Sequence, residues 1–280
     1  MWWRTVRTEL IKLWLRPRTY IGFAAILVIV LVVQLALFVD GENYLLMFTQ
    51  TLEQNFEVGG KILNGNLVAF LILQTLIIHV PLLVTLITGD LISGEASAGT
   101  LRLLASRPVS RNGLLSAKFF AGMIYTALLL AFLGILAIAG GKILFGSGDM
   151  LVLRADRFMV IPEADVWWRF LASFGMAFLS LGVVAALSFM ISCFTRNSIS
   201  PIVITMSVII LFTIIQTMDL PLFDTIRPWL FTTQMLSWKM FFYDPLPVSS
   251  LVRSALVLSA HIGLFYFIAW FHFTRKDLLN

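Results

Sequence analysis

The chain has 280 residues, of which 59% are hydrophobic and only 12% are charged. Soluble domains carry about 25% charged residues, so this composition excludes an ordinary soluble domain and indicates lipid as the main solvent. The net charge of +5 does not indicate a nucleic-acid partner, because the basic residues flank apolar runs in the way that membrane topology requires.

Residues 1–18 are expected to form an amphipathic helix on the cytoplasmic membrane surface. Their apolar side chains recur at spacings of three and four residues, and the tryptophans among them suit the headgroup layer. The basic residues around this apolar face are Arg4, Arg7, Lys12, Arg16 and Arg18. A disordered basic tail is the alternative interpretation.

Six apolar segments follow, each with close to the ~20 residues that a helix needs to cross about 30 Å of hydrocarbon. We predict spans at residues 19–39, 67–88, 117–140, 170–195, 199–218 and 254–273. The expected fold class is an all-α membrane protein with six transmembrane helices, since isolated strands would leave backbone groups unpaired in lipid. Pro81 is expected to kink the second span.

The distribution of charge predicts the orientation of the chain. With the N-terminus inside, twelve Lys and Arg residues lie on the inner side and eight on the outer side, against four and eleven acids. We therefore expect a multi-pass protein of the plasma (inner) membrane with both termini in the cytoplasm.

Three connections are predicted on the outer side. Residues 40–66 and 141–169 have the scattered charge and glycine that are typical of loops. Residues 219–253 are too apolar for a solvated loop and too charged for a span. We expect short helices there that dip into the outer interface and are anchored by Trp229 and Trp238.

No catalytic site is evident in the sequence. The phosphate-binding pattern G-x-x-x-x-G-K-[ST] is absent, and its nearest strings, residues 59–65 and 140–146, resemble each other through duplication or coincidence. No His-Glu pair has the zincin spacing, and the single Cys193 excludes a cysteine-based zinc site within one chain. We therefore predict no catalytic residue, no metal site and no cofactor in this chain.

Four polar side chains fall inside predicted spans, where polar groups are costly and often functional. They are Gln74, His79, Gln216 and His261. We treat them as a candidate intramembrane polar path. The alternative is that they form interhelical hydrogen bonds, each worth about 1 kcal/mol.

The polar segment 89–111 separates the second and third spans. Gly94 permits a change of direction after Asp90, and from Ala96 the chain is expected to form a short helix that ends at Pro108. We expect this helix to lie parallel to the membrane with its charges directed into the cytoplasm, and Ser110 to help cap the third span. A solvated turn with positive-inside arginines is the alternative.

One pattern runs through this segment. It reads Glu95-x-x-x-Gly99-Thr100-Leu101-x-x-Leu104-x-x-x-Pro108-Val109-Ser110-Arg111-x-x-Leu114-Leu115-x-x-Lys118. The pattern resembles the signature of ABC-2-type transporter permeases. The resemblance extends to the amphipathic N-terminus, the six spans and the interfacial region before the last span.

This resemblance implies that segment 89–111 is a coupling helix that docks on a separate ATP-binding subunit. The residues expected to carry the docking are Asp90, Glu95, Thr100, Arg102, Arg107 and Arg111. Two copies of that subunit would hold ATP and Mg²⁺, and the chain would pair with itself or a close relative in the membrane lipid. The function implied is ATP-driven export of an amphiphilic cargo such as a lipid, a drug or a peptide.

Two other functions remain open at this point. Some members of the resembled family relay force to an extracytoplasmic partner protein, as in metal-site maturation or surface motility. An intramembrane enzyme or channel without an ATPase is the third hypothesis. If Glu95 is an interfacial docking residue, its change to Lys should preserve expression and abolish coupling to the ATPase.

Overall fold

A computed structural model of the chain describes residues 2–53, 62–76, 78–100, 110–153, 158–218 and 220–275. Within these ranges, the side chains of residues 42–53, 153 and 158 lie outside the description. The chain is mainly α-helical, and its long apolar helices indicate a multi-pass membrane protein.

The N-terminal segment forms the helix α1 (Trp2–Trp14). This helix buries Val6 and Leu13 against the rest of the protein, whereas Arg4, Thr8 and Ile11 on its other face are exposed. The predicted amphipathic helix is therefore present. It packs on the helical bundle with its apolar stripe, as amphipathic helices generally do.

The longer elements form a series of mostly apolar helices. They are α2 (Pro17–Glu53), α3 (Gly65–Leu76), α4 (Val80–Thr88), α5 (Asp90–Ser97), α6 (Arg111–Phe145), α7 (Glu163–Phe194), α8 (Ile199–Thr217), α9 (Phe231–Met235) and α10 (Val248–Arg275). Among the described residues, α2, α6, α7, α8 and α10 are long and apolar enough to cross a membrane. The predicted spans lie on these helices or on the α3–α4 pair, and α6 and α7 extend past them because hydropathy marks only the hydrocarbon-crossing part.

α3 and α4 together make a sixth candidate span, bent by 54° between the two helices. Pro81 lies in the first turn of α4, where proline is tolerated because the amide hydrogen it lacks is not needed there. The backbone N–H of His79 donates to the carbonyl of Leu76 at 2.8 Å and closes the turn that joins the helices. The predicted kink is therefore present as a bend that immediately precedes Pro81.

α7 is the central helix of the bundle. In the most hydrophobic 18-residue stretch of each helix, 78% of the residues are buried in α7 but only 11% in α8. Small buried residues, including Ala177, Ser180 and Ala185, line α7 and let neighbouring helices approach closely. The core is therefore organised around α7, and α8 lies at the periphery.

Residues 141–169 are more ordered than the predicted loop. α6 continues to Phe145, and strands β1 (Met150–Leu153) and β2 (Phe158–Ile161) then pair antiparallel, with Met150 opposite Ile161. Met150 and Ile161 are both buried, which explains the pairing of these short apolar strands. The predicted all-α fold class fits the structure, and the described residues add this one two-stranded sheet to it. We call this side of the bundle the hairpin end and the opposite side the α1 end.

Short helical turns lie between Pro221 and Phe242, in the region where short helices are predicted. They are the 3₁₀ turns Pro221–Phe223, Arg227–Trp229 and Leu236–Phe242, together with α9. Trp229 is 62% exposed, as an interfacial anchor should be, but Trp238 is only 1% exposed and packs against Phe70 and Phe242. The prediction that Trp238 is an interfacial anchor is therefore wrong, because its ring is enclosed by other aromatic side chains.

Candidate functional site

A cluster of charged side chains joins α1, α5 and α6 at the α1 end. Glu9 and Lys12 lie one turn apart on α1, Glu95 lies on α5, and Lys118 lies in the second turn of α6. Glu9, Glu95 and Lys118 are at most 4% exposed. Charged side chains are almost never this deeply buried unless they are paired. We call these four residues the ion-pair cluster.

Lys118 is the most deeply buried member of the ion-pair cluster. Its Nζ donates a hydrogen bond to Glu9 Oε2 at 2.6 Å and forms an ion pair with Glu95 Oε2 at 2.7 Å. Lys12 Nζ lies 2.7 Å from Glu9 Oε1 and 3.2 Å from Glu95 Oε1. Two ammonium groups and two carboxylates therefore balance one another's charge across three helices.

A second set of ion pairs lies next to this cluster. Asp90, the first residue of α5, is 7% exposed, and its Oδ2 accepts from Arg16 at 2.8 Å. Arg18 approaches Asp90 Oδ1 at 3.6 Å. The turn between α1 and α2 is thus held to the start of α5 by charge as well as by packing.

The charged neighbours shift the pKa values of the two ionisable groups on α1. Burial alone would raise the pKa of Glu9, but the ammonium groups of Lys118 and Lys12 outweigh burial and lower it. Burial alone would lower the pKa of Lys12, but its contacts with Glu9 and Glu95 outweigh burial and raise it. Both groups are therefore held in their charged forms.

α5 is fixed on its other side by Ser192 of α7. The Ser192 hydroxyl accepts hydrogen bonds from the backbone N–H groups of Ile92 at 3.2 Å and Ser93 at 2.9 Å. The backbone also approaches closely here, because a Cβ on Gly89 would lie 2.8 Å from Ser188 Oγ. α5 is therefore clamped between the ion-pair cluster and the central helix.

The burial of Asp90 and Glu95 corrects the sequence prediction. Their charges were expected to point into the cytoplasm, but both carboxylates face basic side chains of the same chain. The expected exposure is therefore wrong, because α1 and α6 supply cations that the spacing along the chain does not reveal. Whether the segment docks on a partner stays a prediction.

The other predicted docking residues differ in their surroundings. Thr100 is exposed, and its Oγ1 donates to the Glu95 carbonyl at 3.2 Å. Arg111 is exposed at the start of α6, where it donates to the Thr274 carbonyl at 3.4 Å. The predicted positions Arg102 and Arg107 lie outside the described residues.

The predicted cap of α6 is confirmed. Ser110 Oγ accepts a hydrogen bond from the backbone N–H of Gly113 at 3.1 Å, which satisfies one of the unpaired amides in the first turn of α6. The indole of Trp2 on α1 donates to Ser116 Oγ at 2.9 Å. The first two turns of α6 are thus tied both to their own cap and to α1.

The chain was compared with known protein families and curated proteins. The model of a family described as protein of unknown function (DUF2705) matches residues 26–279. The chain belongs to the DUF2705 family. It is also similar to the uncharacterized protein YhcI of Bacillus subtilis (strain 168), with 24% identity over 203 residues. That match covers 70% of this chain and 63% of the relative's length.

The family match covers only part of the ion-pair cluster. Glu95 and Lys118 lie inside the matched range of this DUF2705 chain, whereas α1 precedes it. Sequence reasoning had placed Lys118 at the edge of the third span without assigning it a partner. Two signals in the sequence point to the contact of Lys118 with Glu9. Lys118 is an ionisable residue in a predicted span, which indicates a partner of opposite charge, and Glu9 is the single acid among the basic residues of 1–18.

The four candidate polar residues of the membrane region lie on different helices. Gln74 on α3 and Gln216 on α8 are half-buried, His79 is exposed beside the α3–α4 bend, and His261 is half-buried on α10. Each histidine Nδ1 lies 2.8 Å from a backbone carbonyl one turn earlier in the chain. Among the described residues, no hydrogen bond joins two of the four side chains, so a polar path through them stays a prediction.

No cluster of metal ligands is found within the described part of this DUF2705 chain. Among these residues, no three His, Cys, Asp or Glu side chains lie close enough together to hold a metal ion. The carboxylates of the ion-pair cluster are each occupied by a Lys ammonium. The cluster can therefore hold α1, α5 and α6 together by electrostatic attraction.

The two similar glycine-containing strings meet at the hairpin end. A Cβ on Gly65 would lie 2.5 Å from the carbonyl carbon of Gly141, so the backbones of α3 and α6 touch. The N–H of Gly65 donates to the Gly146 carbonyl at 2.8 Å, and Asn66 Nδ2 donates to the Gly148 carbonyl at 2.7 Å. Close packing of two helices accounts for glycine at both positions.

Proposed function

We propose that this chain is the transmembrane permease subunit of an ATP-driven transporter of the ABC-2 type. The observation that carries the proposal is the clamping of α5, directly before a segment that resembles the coupling helix of such permeases. α5 is joined to α1 and α6 by buried ion pairs and to α7 by the Ser192 hydrogen bonds. A force applied to the segment would therefore reach several helices at once.

The change from buried to exposed residues at the end of α5 supports this role. Glu95 is buried, whereas Ser97 and Thr100, only two and five residues later, are exposed. Gly99 adopts φ +69°, a conformation that favours glycine and lets the chain turn sharply after α5. The exposed residues thus directly follow a helix that is held by ion pairs and hydrogen bonds. This arrangement suits the transfer of movement from a partner to the helical bundle.

The burial of Asp90 and Glu95 changes their proposed roles. We assign them to positioning the segment, while Thr100, Arg102, Arg107 and Arg111 would contact the ATP-binding subunit. Two copies of that subunit would supply ATP and Mg²⁺. Because α2 and α8 bury few of their residues within one chain, their apolar faces would contact lipid or a second transmembrane subunit. The proposal also places the chain in the inner membrane with both termini in the cytoplasm. Its proposed cargo is amphiphilic.

The first test is purification of the full-length tagged chain from its native host in mild detergent. Mass spectrometry is expected to find an ATP-binding subunit in a one-to-one ratio with the chain. A chain that is recovered intact but without any ATP-binding protein would contradict the proposal. It would favour the intramembrane enzyme or channel instead.

A crosslinking test locates the contact. In a Cys193→Ser background, Ser97→Cys places a thiol at the exposed end of α5, and Val248→Cys places one at the start of α10. The Ser97 variant is expected to crosslink to the ATP-binding subunit, and the Val248 variant is the control. Equal crosslinking from both positions, or from the control alone, would contradict docking at this segment.

A second candidate function is supported by the ordered hairpin end. The β1–β2 hairpin and the short helical turns of residues 219–253 present a folded surface there, where two simple loops would otherwise suffice. Such a surface suits a force-relaying subunit that serves an extracytoplasmic partner protein. Recovery of a further protein that is lost when the hairpin is replaced by a Gly-Ser linker would favour this function.

A further inference from the structure

A groove lies between α6 and α7, and apolar side chains that line it, such as Ile135 and Leu171, are exposed. Its volume is about 760 Å³, and small residues such as Ala131, Gly134 and Gly175 form much of its floor. Among the side chains that line it, Lys142 alone carries a charge. A cavity of this size lies within the range of about 300–1,000 Å³ that is typical of small-molecule sites.

The polar features of the groove lie at its hairpin end. Lys142 is in the last turn of α6, and Trp167 is in the second turn of α7 with 63% of its surface exposed. Tryptophan is enriched where membranes meet water, and a lysine there extends its ammonium group toward the headgroups. The groove is therefore apolar along its length and basic at one end, just as a phospholipid is apolar along its acyl chains and charged at its headgroup.

We propose that this groove binds one membrane phospholipid as a resident ligand. An acyl chain would lie along the small residues of α6 and α7, and the phosphate would pair with the Lys142 ammonium. Charge complementarity favours a phospholipid over a helix from a second copy, because a helix seated there would cover Lys142 and leave its charge without water. This inference does not require an ATP-binding partner.

Gly175 allows the groove to be filled without disturbing the core. A Cβ built on Gly175 has no atom within 4 Å, whereas a Cβ on Gly134 would lie 2.4 Å from Phe174. Gly175→Leu is therefore expected to occupy the groove and leave the helix packing intact. Gly263→Leu is the matched control, because Gly263 lies on α10, away from this groove, and also has open space around it.

The test uses the purified full-length chain in vesicles of phosphatidylcholine and phosphatidylglycerol. A phosphatidylglycerol with a photoactivatable acyl chain is crosslinked, and the adducts are mapped by peptide mass spectrometry. Adducts are expected on groove residues of α6 and α7 in excess over α10, whose exposed residues Val252 and Leu256 report ordinary lipid contact. Equal labelling of α10 and the groove would overturn the proposal.

The variants then identify the lipid-binding groups. Gly175→Leu is expected to abolish the excess labelling, and Gly263→Leu is expected to leave it unchanged. Lys142→Gln should lower it by about fivefold, the effect of one basic residue near an anionic lipid surface, while Lys142→Arg should restore it. Unchanged labelling in Gly175→Leu would overturn the assignment. Because no ATPase is present, the result does not depend on the proposed transport function.

Discussion

Lys118 of α6 lies 2.6 Å from Glu9 of α1, although the two residues are 109 positions apart in the chain. Both side chains are at most 4% exposed, so this contact is a buried ion pair. It makes α1 part of the helical bundle, since moving α1 away would separate buried charges. The same lysine contacts Glu95, and α1, α5 and α6 therefore have a shared electrostatic centre.

Removal of the Lys118 charge is expected to destabilise the protein strongly. Lys118→Met keeps most of the side-chain volume but leaves Glu9 and Glu95 buried without their nearest cation. The loss of one partner from a buried pair costs about 3–5 kcal/mol. Thermal unfolding of the purified variant in detergent measures this loss.

The control for Lys118 is the second lysine of the same cluster. The Lys12 side chain is 32% exposed, so water can replace part of its interaction with the carboxylates. Lys12→Met is therefore expected to lower the unfolding temperature much less than Lys118→Met. Equal effects of the two changes would contradict a buried electrostatic centre at Lys118.

Reversal of the charge at Glu95 is expected to impair folding. Glu95→Lys would bring a third ammonium group next to Lys118 and Lys12, at a position where Glu95 and Lys118 are almost completely shielded from water. This result differs from the sequence-based expectation that expression survives the change. Folded yield after detergent extraction is the measurement.

Two further changes separate folding from docking. Glu95→Gln removes one charge without adding a like one and is expected to give more folded protein than Glu95→Lys. Thr100→Lys changes an exposed position and should leave folded yield at the wild-type level. A wild-type yield from Glu95→Lys would show that the carboxylate is not held as the structure describes.

The ion-pair cluster predicts a defined pH dependence. Folding lowers the pKa of Glu9 from its ordinary 4.5, so its stabilisation is complete above that pH and is lost as pH falls through the lowered value. Folding raises the pKa of Lys12 from its ordinary 10.5, so its stabilisation is complete below that pH and is lost as pH rises through the raised value. Stability from this pair is therefore expected to be constant between these two limits.

Single variants assign the two limits of this window. The difference in unfolding temperature between wild type and Glu9→Gln should be constant at neutral pH and shrink in acid. The difference between wild type and Lys12→Gln should instead shrink in strong alkali. A difference for Glu9→Gln that grows as the pH falls below 4.5 would contradict the lowered pKa of Glu9.

The helices could be predicted from sequence because their signal is local. Apolar runs of sufficient length place α2, α6, α7, α8 and α10, and Pro81 places the bend in the α3–α4 pair. The β1–β2 hairpin was not predicted, because strands of four residues give little alternation to recognise. Trp238 was misplaced because an indole in an interfacial segment has the same local pattern as a buried one.

The site could be predicted only in part because its contacts are not local. Position 95 was singled out correctly as part of an unusual segment, but its burial depends on Lys118 and on α1. We expected a charged side chain in a polar segment to face water. That expectation is wrong for Glu95, because residues distant in the sequence supply the opposite charges. Lys118 at the edge of a predicted span carried a usable signal, and the sequence did not show which acid would pair with it.

Ser192 is expected to control how firmly α5 is held. Ser192→Ala removes a hydrogen-bond acceptor from the Ile92 and Ser93 backbone N–H groups. The Ile92 N–H is among the first four amides of α5, which have no acceptor within the helix, so this buried donor loses the partner that Ser192 supplies. Such a loss costs about 1–3 kcal/mol. The measurement is thermal unfolding together with hydrogen exchange of α5 amides, which should become faster. Ser207→Ala on α8 is the control, because that exposed hydroxyl bonds only the Val203 carbonyl of its own helix, and an equal effect there would contradict the prediction.

The contact between Gly65 and Gly141 is expected to tolerate no added carbon atom. In Gly65→Ala, the new Cβ would lie 2.5 Å from the Gly141 carbonyl carbon, which is backbone and cannot rotate away. α3 and α6 would have to separate, and overpacking of this kind costs about 1–3 kcal/mol. Thermal unfolding of Gly65→Ala is compared with that of Gly263→Ala, where the added Cβ meets open space. A stability of Gly65→Ala equal to that of the control would show that the two helices are not in backbone contact.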